Sequence, residues 1–253
     1  MHLDFKQYGQ GEPLLILHGL FGGSDNWHTI ATRLADHFHV VVPDLRNHGQ
    51  SPHSDEMTYV AMAADVAELL ATLGWTSAII LGHSMGGKVA MQLAVTRPDL
   101  VKKLVVADMA PRDYTPVHNE IIAAMAALDV GSFSSRTAIE EALAGPIPSL
   151  KLRRFLLKNL GRAADGTFAW KINLSAIAAG YPHLRVAIAG PQTYAGPVLF
   201  IRGSRSEYIR AAGEPSIPDV FPQAKIRTIE GAGHWLHADN PDEFVRLVRE
   251  FLN

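Results

Sequence analysis

Gly82-His83-Ser84-Met85-Gly86 sets a serine between two glycines, after the apolar run Ser77-Ala78-Ile79-Ile80-Leu81 and before Lys88-Val89-Ala90-Met91-Gln92-Leu93-Ala94. Strand, sharp turn, helix is the context that a G-x-S-x-G nucleophile elbow requires. A serine on so strained a turn needs small neighbours, because a Cβ at either flank would collide with the adjoining strand or helix. The turn lifts the Ser84 hydroxyl above the sheet and aims the free N–H groups of a helix N-terminus at a developing anion. A serine hydroxyl is a poor nucleophile near neutral pH, so it needs a base within hydrogen-bond reach and a third group to orient that base. His234 is the best candidate base. It lies in Gly231-Ala232-Gly233-His234, just past a strand, and its glycine neighbours permit close approach. His18-Gly19-Leu20 ends another apolar strand, and there the N–H groups of Leu20 and Met85 are expected to converge on a carbonyl oxygen as it gains charge. His18 itself reads as structural, its ring bonded to loop backbone.

These residues need a scaffold that brings strand ends together. Leu14-Leu15-Ile16-Leu17, His39-Val40-Val41-Val42-Pro43, Ser77 to Leu81, Lys103 to Asp108 and Val198 to Gly203 are short apolar runs of the kind found in buried strands, and Ala224 to Ile229 reads as the last strand. Helical spacing falls between them, over Trp27–His37, Tyr59–Leu73, Glu214–Phe221 and Pro241–Leu252, while residues 2–8 suit an edge strand or hairpin. The alternation predicts an α/β fold with a parallel sheet covered on both faces and active loops beyond the carboxyl ends of its strands. His18, Asp44, Ser84 and Asp108 all fall on that edge. From Pro111 to about Pro191 the alternation stops. Candidate helices there are Glu120–Leu128, Arg136–Leu143, Ser149–Leu160 and Trp170–Ala179. The expected organisation is a core of residues 1–110 and 192–253 with a helical cap, 111–191, inserted over the sheet edge.

Composition narrows the function classes. With 47% hydrophobic and 19% charged residues, the 253-residue chain is a globular protein with a substantial core. A net charge of -2 argues against a nucleic-acid partner. No apolar run reaches the roughly 20 residues of a membrane-spanning helix. No signal-peptide layout opens the chain, and there is no cysteine, hence no disulfide and no thiolate metal site. These features fit the cytoplasm. The oligomeric state, monomer or dimer, is not written in the spacing.

The motifs together resemble the α/β-hydrolase superfamily over nearly the whole chain. They are His18-Gly19-Leu20-Phe21-Gly22, Asp44-x-Arg46-Asn47-His48-Gly49-x-Ser51, Gly82 to Gly87, and Gly231-x-Gly233-His234-Trp235. Arg46-Asn47-His48-Gly49 and Ala107-Asp108-Met109-Ala110-Pro111-x-Asp113-Tyr114 are similar to the YbfF-type bacterial esterases. That resemblance implies hydrolysis of a small carboxylic ester or thioester through an acyl-enzyme on Ser84, with no cofactor and no metal. It also exposes a departure. Most of the superfamily carries the triad acid three residues after the glycine that here is Gly203, and this chain has Ser206 there. A hydroxyl cannot stabilise an imidazolium as a carboxylate does. Asp108, at a strand end on the catalytic edge, is the favoured acid, with Glu207 as the alternative and Ser206 as a further partner for the histidine. Asp44 to Gly49 reads as a loop brace, and Trp235 as a packing residue. A carbon–carbon hydrolase or a non-catalytic receptor on the same fold are the more distant readings. Lys151 to Arg162 carries five cations and no acid. It is either a solvated cap face or a means of steering anionic acyl donors such as coenzyme A thioesters.

Overall fold

The computed structural model describes residues 1–188, 190, 193–210 and 214–253. Seven strands form one sheet: β1 (Phe5–Tyr8), β2 (Glu12–Leu17), β3 (Phe38–Pro43), β4 (Ala78–His83), β5 (Val101–Ala107), β8 (Val198–Gly203) and β9 (Ala224–Ile229), in the order β1-β3-β2-β4-β5-β8-β9. Residues 5–8 are indeed an edge strand, antiparallel to β3, and every other pairing in this sheet is parallel. Side-chain alternation divides the core in two. Leu15, Leu17, Ile80, Leu104 and Val106 face α2 (Tyr59–Thr72) and α3 (Met85–Thr96). Leu14, Ile16, Ile79, Leu81 and Val105 face α1 (His28–Leu34) and α10 (Pro241–Leu252). Each fully buried Leu or Ile contributes roughly 1.5–3 kcal/mol, which explains the continuous apolar runs in strands covered on both faces. Strand order reverses between β2 and β4, and the crevice at their carboxyl ends is where ligands bind in open α/β sheets.

Between β5 and β8 the chain leaves the sheet and forms α4 (Asn119–Ala127), α5 (Arg136–Ala142), α6 (Leu150–Leu156) and α7 (Leu174–Arg185). The expected all-helical character needs correction. The helix foreseen as far as Leu160 ends at Leu156 in a single 3-10 turn, and a hairpin follows, β6 (Leu160–Arg162) with β7 (Phe168–Trp170). The helix foreseen from Trp170 starts at Leu174, because the Asn173 side chain accepts the Ala176 N–H and so caps it there. Ile122, Met125, Ile139, Leu156 and Ile177 join the same apolar cluster as Leu17 and Val89, so the insertion shares the core of the sheet. The segment around 214–221 holds one short helix, α8 (Ser216–Val220), and a short helix α9 (Leu236–Asp239) precedes α10. The boundary expected between residues 191 and 192 lies outside the described residues. No helix among the described residues is long and apolar enough to cross a membrane.

Candidate active site

Ser84 caps α3 at φ +52° and ψ −118°. That region costs a non-glycine residue of order 1–3 kcal/mol, and it persists only where the surroundings over-determine it. A Cβ on Gly86 would lie 2.3 Å from the Leu17 carbonyl oxygen, so the elbow closes only with glycine there. An N-cap serine ordinarily spends its hydroxyl on the first N–H groups of its helix. Ser84 makes no such bond, and its Oγ stays available. Phe21, Asn47, Ser84 and Asp108 are the non-glycine residues with positive φ among those described. They follow β2, β3, β4 and β5 in turn, so the backbone strain gathers on one sheet edge.

At that edge Ser84 Oγ lies 3.0 Å from His234 Nε2, and His234 Nδ1 lies 2.7 Å from Asp108 Oδ2. An acceptor-only carboxylate at Nδ1 fixes the tautomer: Nδ1–H donates to Asp108, and Nε2 accepts the Ser84 O–H. Asp108 is fully buried and also accepts the Gly203 N–H at 3.2 Å and the Ser206 hydroxyl. Ser206 therefore reaches the acid, not the histidine ring. Glu207 is exposed on the wall of the adjoining cavity, and both ring nitrogens of His234 are engaged elsewhere. The loops after β8 and β9 are tied together, Arg205 N–H to the Ala232 carbonyl at 2.9 Å, which sets Ser206 and His234 in register. His83, buried and held neutral by desolvation, donates Nε2–H to the His234 carbonyl at 2.8 Å. Tyr208 stacks on the His234 ring at 4.0 Å.

The β2 loop presses against the elbow. A Cβ on Gly19 would meet the Ser84 Cβ at 3.2 Å. Two buried histidines hold that loop. His18 Nε2 accepts the Leu45 N–H at 2.9 Å while its Nδ1–H donates to the Gly19 carbonyl at 2.8 Å. His48 Nε2 accepts the Phe21 N–H at 3.3 Å, and its Nδ1–H donates to the Arg46 carbonyl. Desolvation lowers His48 to about 3, so it accepts at neutral pH. Arg46 pairs with buried Asp65 through two bonds, at 2.6 and 2.9 Å, and Asp44 accepts the N–H groups of Ser24 and Gln50. The 44–49 segment is thus a brace. No acceptor among the described residues takes the Leu20 N–H, and Met85, first in its helix, has no intrahelical acceptor.

Ser84, Leu20 and Met85 open on a cavity of about 790 Å³, within the roughly 300–1,000 Å³ of small-ligand sites. Its walls include Tyr59 of α2, the segment 112–118 that leaves β5, and Tyr181, Leu184 and Arg185 of α7. None of the five cations of 151–162 lines it. Lys151 binds Asp239 and lies over Trp235, Arg153 donates to the carbonyls of Ile147 and Pro148, and Arg154 faces Glu140. Trp235 packs on Phe155. Among the described residues no group of three His, Asp or Glu side chains could hold a metal ion. Sequence reasoning missed Tyr208, Tyr181 and His118, which carry no motif. Lys88 and Asn159 were legible only as polar residues inside apolar runs.

The chain is similar to known proteins over nearly its whole length. Residues 12–158 match the family model described as alpha/beta hydrolase fold. The sn-1-specific diacylglycerol lipase ABHD11 of Xenopus laevis is 40% identical over 96% of this chain and 80% of its own. Esterase YbfF of Escherichia coli is 36% identical over 95% of this chain and 93% of its own. A solved structure described as a marine microorganism esterase superposes with a TM-score of 0.97 at 44% identity, covering 99% of both chains. The chain belongs to the α/β-hydrolase fold family, in its branch of esterases and lipases, the carboxylic ester hydrolases.

Proposed function

We propose that Ser84, His234 and Asp108 cleave carboxylic esters of short to medium acyl chains through an acyl-enzyme. The observation that carries this reading is the hydrogen-bonded line from Ser84 Oγ through His234 to Asp108, opening on an apolar-walled cavity. Ser84 Oγ attacks the ester carbon while its proton passes to His234 Nε2, and the imidazolium is stabilised by the Asp108 carboxylate. The carbonyl oxygen, now an oxyanion, takes hydrogen bonds from the Leu20 and Met85 N–H groups, each such donor being worth roughly 3 kcal/mol in the transition state. Collapse expels the alcohol, which takes the proton from His234. Water then attacks the acyl-Ser84 carbonyl with His234 again as base, releasing the acid and regenerating the hydroxyl. In this reading residues 111–191 act as a cap that supplies cavity walls. A thioester would be cleaved by the same atoms, but the cationic stretch at 151–162 lends that alternative no support, since its cations lie off the cavity.

The test is a burst experiment with p-nitrophenyl acetate, butyrate and octanoate on wild type, Ser84→Ala, Asp108→Asn and Glu207→Gln. A burst stoichiometric with enzyme is expected, abolished in Ser84→Ala, strongly slowed in Asp108→Asn and unchanged in Glu207→Gln. Wild type no faster than Ser84→Ala on all three esters would sink the reading.

A further inference from the structure

Lys88 is the one buried lysine among the described residues, and its side chain is fully enclosed. It sits one helical turn after the elbow, its backbone N–H donating to the Ser84 carbonyl at 3.1 Å. Its Nζ donates to the carbonyls of Arg112 and Val186. Arg112 lies where the chain leaves the sheet after β5, and Val186 where it comes back after α7. One amine therefore joins the helix of the candidate nucleophile to both stems of the insertion. The rings of Tyr59 and Tyr114 flank it at 5.6 and 5.2 Å. Around it the stems are stitched to each other and to α2. Tyr114 N–H donates to the Arg185 carbonyl at 2.8 Å, Ala187 N–H donates to Asp113, and Tyr59 O–H donates to the Leu184 carbonyl at 2.6 Å. The same stems supply Arg112, Tyr114, His118, Leu184 and Arg185 to the cavity wall.

We propose that Lys88 is a positioning residue that pins both stems of the insertion to the elbow helix, and so fixes the cavity width that selects acyl length. No carboxylate among the described residues contacts its ammonium, and burial drives it down to about 7, with Asp113 raising it and Arg112 lowering it further. A lysine is costly in such a place. What the side chain gains there is the pair of carbonyls, both part-buried, to which its ammonium is the donor. An apolar residue of equal length would fill the space and tie nothing.

The experiment is amide hydrogen exchange on the full chain, wild type beside Lys88→Met, with kinetics on p-nitrophenyl acetate and octanoate. In wild type the Tyr114 and Ala187 amides should exchange at least about tenfold slower than an exposed loop amide such as that of Asp55, which has no acceptor among the described residues, since both are tied down. In Lys88→Met they should speed up about tenfold while amides of β4 and β5 keep their rates. KM for octanoate should rise about tenfold, with kcat on acetate changed less than about threefold, as expected when binding alone is lost. Wild-type stem amides as fast as loop amides would overturn the proposal without need of any variant. So would unchanged stem exchange in Lys88→Met, uniform acceleration across the sheet, or equal kcat losses on both esters. The kinetic arm rests on the esterase reading and the exchange arm does not. An inactive wild type with slow stem amides that loosen in Lys88→Met would therefore sink the first and support the second.

Discussion

In the proposed triad, Asp108 and Ser206 would divide between them a task that one carboxylate performs in most of the superfamily. The carboxylate comes from the end of β5, and the loop after β8 sends only a hydroxyl, which donates to that carboxylate. Replacing each should therefore cost very different amounts. Asp108→Asn presents an amide where His234 needs an acceptor, holds the ring in the wrong tautomer, and should lower kcat about 10⁴-fold. Ser206→Ala removes one charge-assisted donor while Gly203 N–H and His234 still hold the carboxylate, so a loss of roughly tenfold is expected, equivalent to ~1.4 kcal/mol. Single-turnover acylation rates for the two variants check both values, and losses of equal size would show that Ser206 does more than brace. Ser84 and His234 were legible in the sequence because small flanking residues and strand-end placement are local properties. Asp108 was legible through strand-end placement alone. Tyr208 was not, because its stacking on His234 arises from two loops that meet only when β8 and β9 pair.

Among the elements, the hairpin of β6 and β7 shows why the insertion was the least readable part. Each strand has three residues, too few for a period of two to stand out from helical spacing. The one signal was Asp165-Gly166, a turn pair, with Gly166 at φ +83°. The turn ahead of the hairpin has a definite task. Asn159, buried, donates from Nδ2 to the Phe21 carbonyl at 2.8 Å and to the Leu156 carbonyl at 3.1 Å. It thereby clamps the loop whose Leu20 N–H is the candidate oxyanion donor. Asn159→Ala should leave two buried carbonyls short of a donor and cost about 1–3 kcal/mol of stability, measured by urea unfolding. The loosened donor should also lower kcat for p-nitrophenyl acetate several-fold, up to about the 10² lost with a whole oxyanion donor, with KM little changed. A stability loss with kcat intact would mean that the clamp serves the fold and not the site. The central strands of the sheet, by contrast, were readable, since burial on both faces keeps the middles of β2, β3 and β4 apolar and confines Glu12, His39 and His83 to or near their ends.

Across the whole molecule, the twelve histidines set how the protein should respond to acid. His18, His48, His83 and His237 are buried at the catalytic edge and His118 lines the cavity. Desolvation lowers all five, to about 3 for His48 and His237 and about 4 for His118. Each is neutral in the fold and returns to about 6.5 when unfolding exposes it. Below that pH the unfolded chain binds the extra protons, so the stabilisation is complete above 6.5 and drains away as pH falls towards the folded values. Each such histidine adds a slope approaching ~1.4 kcal/mol per pH unit. Unfolding by urea at pH 7, 6, 5.5 and 5 should show stability falling steeply over a range where most carboxylates remain ionised. His237→Phe tests the attribution, because a phenyl ring can keep the stack on Trp27 that His237 makes at 4.3 Å. It should remove about one proton from the slope, and a flat profile from pH 7 to 5 in wild type would refute the account. Burial, not number, decides this behaviour, and burial of the five follows from their loops closing over the carboxyl ends of β2, β3, β4, β5 and β9. The edge that assembles the candidate site is thus the part of the fold that acid should dismantle first.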